Sequence, residues 1–286
     1  MLKNIEIIDS HVHTFANEDV SGKIMSSFNK IYDIQFANPG DGTIKSVYEN
    51  MEKGGIDKTV MANFAPPKII DQNNIWTLET AEASDGRLVP LVSFHPEMAG
   101  SFAENLDKYI SMGAKGIKLH PMAQGFDVRD ERMDELYKSC SELNLAILIH
   151  CGRVSNARTN EFSDYECIVP VIEKYPDIPI ILAHMADGNV EHVLEASEKY
   201  KNVYFDTSIV ITGYPEIINV NEPSWLDDNE VVDIINKIGA EKVIYGSDYP
   251  WGSQLHDVTR VMNLNLTVEQ KQLIFNRNAR KVFKLD

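Results

Sequence analysis

Short runs of apolar, mostly β-branched residues recur along the chain at fairly even intervals and predict eight strands. Several runs are apolar almost throughout instead of alternating, which is typical of strands that are covered on both faces. The predicted strands are Ile5–Asp9, Lys58–Asn63, Leu88–Phe94, Gly116–Leu119, Ala146–Ile149, Ile178–Ala183, Val203–Asp206 and Lys242–Tyr245.

Helical patterns lie between these strands. Ser101 can cap a helix that stops at Gly113, and Asp130 can open another with its apolar residues on one stripe. Val190–Tyr200 and Glu230–Ile238 predict two more helices. The alternation of strand and helix therefore continues to the end of the chain.

Eight strands, each followed by helix, predict a single-domain (β/α)8 TIM barrel over residues 1–286. The alternative is an open doubly wound sheet, which normally has a glycine-rich phosphate loop after an early strand; the sequence contains none. Two longer connections, Thr14–Gly42 and Ser208–Asn229, are expected on the catalytic rim as pocket walls. Trp225 and Trp251 are their candidate apolar contacts.

Composition narrows the possible partners. The chain has 43 acidic against 27 basic residues and a net charge of −16, which disfavours nucleic acid and anionic membranes. Three cysteines without a Cys-x-x-Cys pair favour a reducing compartment and argue against a thiolate zinc site. With no signal-peptide pattern at the start, we expect a cytoplasmic protein that acts on a small molecule. A homo-oligomer is compatible with this fold.

Histidines concentrate where the predicted strands end. His11 and His13 follow the first strand, and their spacing of two places both imidazoles on the same side of an extended chain. The carboxyl ends of the strands in a parallel barrel open onto one face, where such enzymes build their sites. The other chemically active residues at predicted strand ends are His95, His120, His150, His184 and Asp248.

Neutral imidazoles and a carboxylate suit a divalent first-row metal, with zinc first on general affinity and availability. The set that is hardest to attribute to packing alone is His11, His13, His150 and Asp248. Four protein ligands leave room for water or substrate as a fifth, so we expect five-coordination. His95 and His120 each precede a proline and are compatible with either a functional role or local packing.

These motifs resemble those of the amidohydrolase superfamily, in the amidohydrolase-2 branch related to aminocarboxymuconate-semialdehyde decarboxylase. A His-x-His pair alone would be weak evidence, but the ordered set extends over nearly the whole chain. Its members are Asp9-Ser10-His11-Val12-His13, Gly116-Ile117-Lys118-Leu119-His120-Pro121, Leu148-Ile149-His150-Cys151-Gly152, Leu182-Ala183-His184-Met185, Gly246-Ser247-Asp248-Tyr249-Pro250-Trp251 and Asn278-Ala279-Arg280-Lys281-Val282-Phe283.

The resemblance implies one metal ion, usually zinc and sometimes manganese, bound by His11, His13, His150 and Asp248. It implies that His184 stands beside the metal as an acid/base or electrostatic group. Binuclear relatives use a carboxylated lysine on strand four. Lys118 lies on that strand but within a Lys-x-His-Pro pattern, which favours one metal.

The branch includes hydrolases of cyclic esters or amides, non-oxidative decarboxylases and hydratases, and the motifs do not choose among them. Our main prediction is a metal-dependent hydrolase of a small carboxylate-bearing molecule, in which a metal-activated water passes its proton to Asp248. The alternative is a decarboxylase on the same metal site, and a non-catalytic ligand-binding barrel is the third hypothesis. The predicted substrate contacts are Lys118, His120, Arg153 and Trp251.

Overall fold

Eight parallel strands surround a common axis in the computed structural model, which describes residues 5–32, 35–36, 40–154, 158–210, 217–218 and 226–286. The strands are β1 (Ile8–Val12), β2 (Lys58–Met61), β3 (Leu88–Ser93), β4 (Gly116–Leu119), β5 (Ile147–Ile149), β6 (Ile180–Leu182), β7 (Val203–Asp206) and β8 (Val243–Ile244).

Each strand pairs with the next strand in chain order, from β1 to β8. The ring is completed where β1 meets the segment that follows β8. There, Ser10 N donates to Tyr245 O at 2.9 Å, and Val12 forms a parallel bridge with Tyr249. The strands thus form a nearly closed barrel, which confirms the predicted fold class.

Helices connect the strands and cover the barrel. They are α1 (Glu18–Tyr32), α2 (Ile44–Gly54), α3 (Ile70–Glu82), α4 (Phe102–Ser111), α5 (Asp134–Leu143), α6 (Tyr165–Lys174), α7 (Val190–Lys199), α8 (Asp228–Ile238), α9 (Gln254–Asn263), α10 (Val268–Gln272) and α11 (Asn278–Phe283). None of the helices in the described ranges has the length and apolar character needed to cross a membrane.

Capping side chains explain where several of the predicted helices begin. Ser101 accepts a hydrogen bond from the backbone N–H of Glu104 and so begins α4. Asp130 caps a short 3-10 turn, Glu131–Met133, that leads directly into α5. α8 begins two residues before its predicted start, because Asp227 forms a capping box with Glu230.

Side chains of the strands alternate between two apolar layers. On β5, Ile147 and Ile149 pack outward against the helices, whereas Leu148 faces the barrel interior. The interior cluster includes Phe283 from α11, and a Cβ on Gly116 at the start of β4 would lie only 3.5 Å from this ring. The last helix therefore packs at the amino ends of the strands, which leaves the carboxyl ends free for a site.

The structure differs from the sequence expectation in two places that bear on the site. β1 begins at Ile8 and continues to Val12, so His11 lies within the strand and not after it. The connection Thr14–Gly42, predicted to be a long loop, contains the 15-residue helix α1. Residues Gln35–Phe36 pair antiparallel with Ile217–Ile218, and this links the two long rim connections.

Candidate metal and substrate site

Three predicted ligands meet where β1 ends and the chain leaves β8. Asp248 Oδ1 lies 3.1 Å from His13 Nε2 and 3.4 Å from His11 Nε2. The donor atoms of this trio lie within 4.8 Å of one another, and all three residues are buried. Val12 packs outward between the two histidines, as the spacing predicts. This arrangement can hold a divalent cation.

Asp206, the last residue of β7, holds His11 from the opposite side. Its Oδ2 lies 2.8 Å from His11 Nδ1, and its Oδ1 accepts a hydrogen bond of 2.9 Å from the backbone N–H of His184. Burial raises the pKa of Asp206, but the adjacent His11 outweighs this effect and the pKa falls to about 2. The ionised carboxylate fixes the His11 proton on Nδ1 and leaves the Nε2 lone pair for a ligand bond.

A chain of hydrogen bonds connects His150 to the same carboxylate. His150 Nδ1 lies 3.0 Å from His184 Nε2, and His184 Nδ1 lies 2.8 Å from Ser208 Oγ. Ser208 Oγ in turn donates to Asp206 Oδ1. If each group donates to the next in this order, the lone pair of His150 remains on Nε2. That atom is buried and has no hydrogen-bond partner within the described ranges.

Burial favours the neutral form of His13, His150 and His184, which is the form that metal binding requires. Burial lowers the pKa of His13 to about 3 and holds the pKa of His150 well below its ordinary value. The pKa of His184 is also lowered, again mainly by burial. Neutral imidazoles together with the Asp248 carboxylate form a donor set that suits zinc or manganese.

A second group of potential ligand atoms overlaps the first and consists of His11, His184 and Asp206. We favour the set with His13 and Asp248 because the atoms of the second group already bond to one another. Asp206 accepts from His11, from His184 and from Ser208. Its role is thus to orient His11, while the orphaned Nε2 of His150 fits a fourth ligand.

Asp9 connects the two segments that carry His11, His13 and Asp248, the candidate metal-binding trio. Its Oδ1 accepts from the backbone N–H groups of His11 and Ser247, at 3.3 and 3.0 Å. Its Oδ2 accepts from Ser247 Oγ at 2.7 Å and from Gln254 Nε2 at 2.9 Å. Burial raises the pKa of Asp9 to about 6 despite these four donors. The bonds fix the position of His11 relative to Asp248.

Lys118 and His120, both predicted substrate contacts, lie at the same rim. Lys118 Nζ is buried 2.7 Å from His11 Nε2, and burial lowers the pKa of this lysine to about 8. The His120 ring stacks on His150, with centroids 3.9 Å apart and planes within 14°. The ring of Phe64 also packs on His120, with the two ring centroids 4.5 Å apart.

Trp251 is buried beside the metal-binding trio, with its ring edge-on to His13 at 4.8 Å. It lines a cavity of about 660 Å³ that also contacts Phe15 and α1. Residues between Thr14 and Ile31 thus wall the cavity, as predicted for the first long connection, whereas the described residues of Ser208–Asn229 do not line it. Trp225 lies outside the described residues.

Other candidates lie apart from the trio. Arg153 is exposed and forms an ion pair with Asp164, with Nε 2.7 Å from Oδ1, so its predicted substrate contact stays a prediction. His95 is bonded to the carbonyl of Gln124 and packs against Phe126, which is the local packing alternative.

The backbone around His184 is strained. His184, Met185, Ala186 and Asp187 all have positive φ, between 45° and 61°. Such conformations are uncommon for residues other than glycine, at a cost of about 1–2 kcal/mol each. This left-handed turn sets the direction in which His184 leaves β6.

Asp206, Ser208 and Asp9 are not among the predicted site residues. A signal was present for two of them, because Asp9 and Asp206 are the last residues of predicted strands that are mostly apolar. A buried carboxylate requires a partner, and a nearby histidine was the obvious candidate.

Comparisons with known proteins identify the family and support the fold. The family model described as Amidohydrolase (Amidohydro_2) matches residues 8–285. Gamma-resorcylate decarboxylase of Polaromonas sp. is 24% identical over 123 residues, which cover 41% of this chain and 37% of that protein. The match therefore spans little more than a third of the relative.

Two solved structures are similar over nearly the whole chain. A TIM-barrel protein of Bordetella bronchiseptica has a TM-score of 0.76 at 17% identity, with 98% of each chain covered. A 5-carboxyvanillate decarboxylase of Novosphingobium aromaticivorans, solved with manganese and a nitrobenzoic acid, has a TM-score of 0.74 at 16% identity and covers 99% of this chain and 97% of its own. These likenesses establish the fold. Because the family model extends from the first barrel strand to the last helix, the chain belongs to the amidohydrolase family.

Proposed function

We propose that this protein is a metal-dependent, non-oxidative decarboxylase of a small aromatic or unsaturated carboxylic acid. The observation that carries the proposal is the buried trio His11, His13 and Asp248 at the mouth of a cavity with aromatic walls. Family membership and the decarboxylases among the similar proteins support it. They favour our alternative prediction over hydrolysis, which becomes the second candidate.

The chain offers four residues to hold the metal: His11, His13, His150 and Asp248. Zinc and manganese both suit this donor set, and the similar decarboxylase that was solved with manganese favours that ion. When bound, the cation would supply positive charge that stabilises the negative charge developing on the substrate.

Decarboxylation breaks the bond between the carboxyl group and its carbon, and the electron pair stays on that carbon as carbon dioxide leaves. One proton must then be delivered to the same atom. Asp248 is the best placed group to carry it. Burial raises the pKa of Asp248, but His11 and His13 outweigh this and keep it well below its usual range. The carboxylate must therefore first receive a proton, from a substrate hydroxyl or from solvent, before it can deliver one.

Other residues bind and orient the substrate in this proposal. Lys118 places a buried ammonium group beside the trio, and its charge attracts an anionic acid. The rings of Phe64, His120 and Trp251 form an aromatic surface around His13 that can hold a flat ring and exclude water. His184 orients His150 and does not contact the substrate in this proposal, since both of its ring nitrogens are engaged in hydrogen bonds.

Release of carbon dioxide tests the proposal. The purified protein, loaded in turn with manganese and zinc, is incubated with γ-resorcylate, with 5-carboxyvanillate and with a panel of lactones and cyclic amides. We expect carbon dioxide from at least one acid, lost in His11→Ala and retained in the matched variant His192→Ala on α7. Ring opening of a lactone without carbon dioxide from any acid would establish the hydrolase instead. Unchanged ligand binding after chelation, with no turnover, would favour a non-catalytic barrel.

A further inference from the structure

The cavity beside His13 extends well beyond the metal-binding trio. It runs from His13 and Trp251 past Phe15 and Phe64, then between α1 and the start of α3. On the far side Ile31 and Ile69 line it, although 61% and 51% of their surfaces remain exposed. An apolar opening of this kind is more than a ring-binding slot requires.

The volume of the cavity also exceeds what a single aromatic ring requires. At about 660 Å³ it lies within the range of ligand pockets, about 300–1,000 Å³. A benzene ring fits a cavity of roughly 150 Å³. An aromatic acid with one ring would therefore leave most of the space open.

The residues that line the cavity are mostly aromatic or aliphatic, which favours an apolar ligand. Aromatic side chains from separate segments line the cavity: Phe15, Phe28, Phe64, Trp76 and Trp251. Of the polar lining residues, Thr14 and Asn63 bond to each other, with Asn63 Nδ2 2.8 Å from Thr14 Oγ1. Lys23, on the exposed side of α1, is the one lysine or arginine among the lining residues that the structure describes.

We propose that the substrate is an aromatic acid with an apolar extension, such as an alkyl chain or a second ring, that occupies the space between α1 and α3. The inference rests on the proposed function, because the metal-binding trio places the carboxyl end beside His13. The cavity is continuous from His13 to Ile31, so a single ligand can reach both ends. Burial of the extension then adds to affinity without any new polar contact.

Matched ligands and matched variants test the inference. The ligands are γ-resorcylate and the same acid with a pentyl chain on the ring carbon opposite the carboxyl group. Binding to the manganese-loaded protein is followed by stopped-flow tryptophan fluorescence before turnover, since Trp76 and Trp251 both line the cavity. Each buried methylene strengthens binding about fourfold, so we expect the pentyl acid to bind at least roughly tenfold tighter even after the cost of ordering the chain.

Neighbouring serines on α1 provide the control. Ser26 and Ser27 are both exposed on this helix, but only Ser27 lines the cavity. Ser27→Trp should abolish the advantage of the pentyl acid and leave γ-resorcylate binding unchanged, while Ser26→Trp should preserve the advantage. Equal affinities of the two acids in the wild-type protein, or the same loss in both variants, would overturn the inference. So would a wild-type dimer that Ser27→Trp dissociates, because a second copy would then cover the opening.

The two proposals fail differently. If both acids bind with the expected difference but neither releases carbon dioxide, the decarboxylase proposal fails and the apolar site stands. If γ-resorcylate is decarboxylated and the pentyl chain brings no gain, the apolar site fails and the decarboxylase stands. Absence of binding by either acid, together with no carbon dioxide from 5-carboxyvanillate, would overturn both.

Discussion

Lys118 Nζ lies 2.7 Å from His11 Nε2, and both side chains are completely buried. Because Asp206 holds the other nitrogen of His11, the lysine must donate to the lone pair on Nε2. That lone pair is the one His11 would offer to a metal ion. Metal binding therefore has to displace Lys118 from His11, which links the position of the lysine to the occupancy of the site.

Replacement of Lys118 by methionine should tighten metal binding by roughly tenfold, because a hydrogen bond to a charged group contributes about 1.5–3 kcal/mol. The KM for a carboxylate substrate should rise, since a buried positive charge is lost. Chelator competition and steady-state kinetics measure the two effects, and Lys115→Met is the control.

Wild-type protein should bind one equivalent of metal. A fall from two equivalents to one in Lys118→Met would instead identify Lys118 as a bridging ligand.

Asp206→Asn should weaken metal binding by about 10–100-fold, the usual effect of losing a group that orients a metal-binding histidine. An amide can donate to His11 Nδ1, which would reverse the tautomer. The affinity is measured by the same chelator competition, with the exposed Asp233→Asn on α8 as control. Unchanged affinity with impaired turnover would mean that Asp206 orients His184 and not His11.

Asp248→Asn should reduce turnover by about 10²–10⁴-fold, the range typical of an acid/base group. The amide keeps the size of the side chain but loses the charge that attracts metal and proton. Turnover, metal content and thermal unfolding are measured together, and the melting temperature should change much less than the rate. A wild-type rate in the metal-loaded variant would exclude the proposed proton transfer.

His184→Asn should retain the metal and lose about 10–100-fold in turnover, because the lost imidazole orients His150, a proposed metal ligand. A purely structural histidine would show nearly normal turnover and a lower melting temperature. Loss of the ion would place His184 among the ligands, as the overlapping group with Asp206 would require. Ser208→Ala is the companion variant, because it removes the 2.8 Å contact to Nδ1 and keeps the ring.

Asp257 should make stability depend on pH. It is buried in α9, and burial raises its pKa to about 8 although the adjacent His256 ring, with Nδ1 3.7 Å from Oδ1, opposes this shift. The folded state then binds a proton more tightly than the unfolded state, so stability is lost as pH rises from about 4 through about 8. One pKa unit corresponds to about 1.4 kcal/mol, so we expect a loss of roughly 1 kcal/mol or more.

Urea unfolding at pH 5 and pH 8.5 measures this dependence. Asp257→Asn keeps the shape without the charge and should abolish most of the decline, whereas Asp233→Asn should leave it unchanged. An equally steep decline in Asp257→Asn would attribute it to other groups, with Asp9 the next candidate because burial also raises its pKa.

The sequence was sufficient to predict which residues lie at the barrel rim, but not which of them contact one another. Strand ends can be recognised from apolar runs, and a histidine after such a run must lie at the rim of a parallel barrel. The structure brings His11, His13 and Asp248 together at that rim, and their role as metal ligands stays a prediction. The sequence could not pair Asp206 with His11, because the two residues are 195 positions apart and meet only when β1 and β7 share one barrel.

Helix α1 was missed for a different reason. Its apolar residues Val20, Ile24 and Ile31 remain at least one-third exposed and line the cavity instead of packing on the barrel. These residues nevertheless recur at helical spacing, so the sequence contained the signal. The glycine, serines and asparagine between them are poor helix formers and favoured the loop prediction. An apolar stripe that faces a cavity and not the barrel is also what indicates an apolar ligand.

The left-handed turn at His184 has a consequence for protein engineering. No short peptide of this sequence would adopt four consecutive left-handed residues, so the surrounding barrel must impose the conformation, in part through Asp206 and the bond from Gly188 N to His184 O. Transplanted into another scaffold, the segment would relax to ordinary backbone angles and turn its imidazole elsewhere. Libraries that seek new substrates should therefore leave this connection intact and vary α1, where the backbone is regular and the side chains face the cavity.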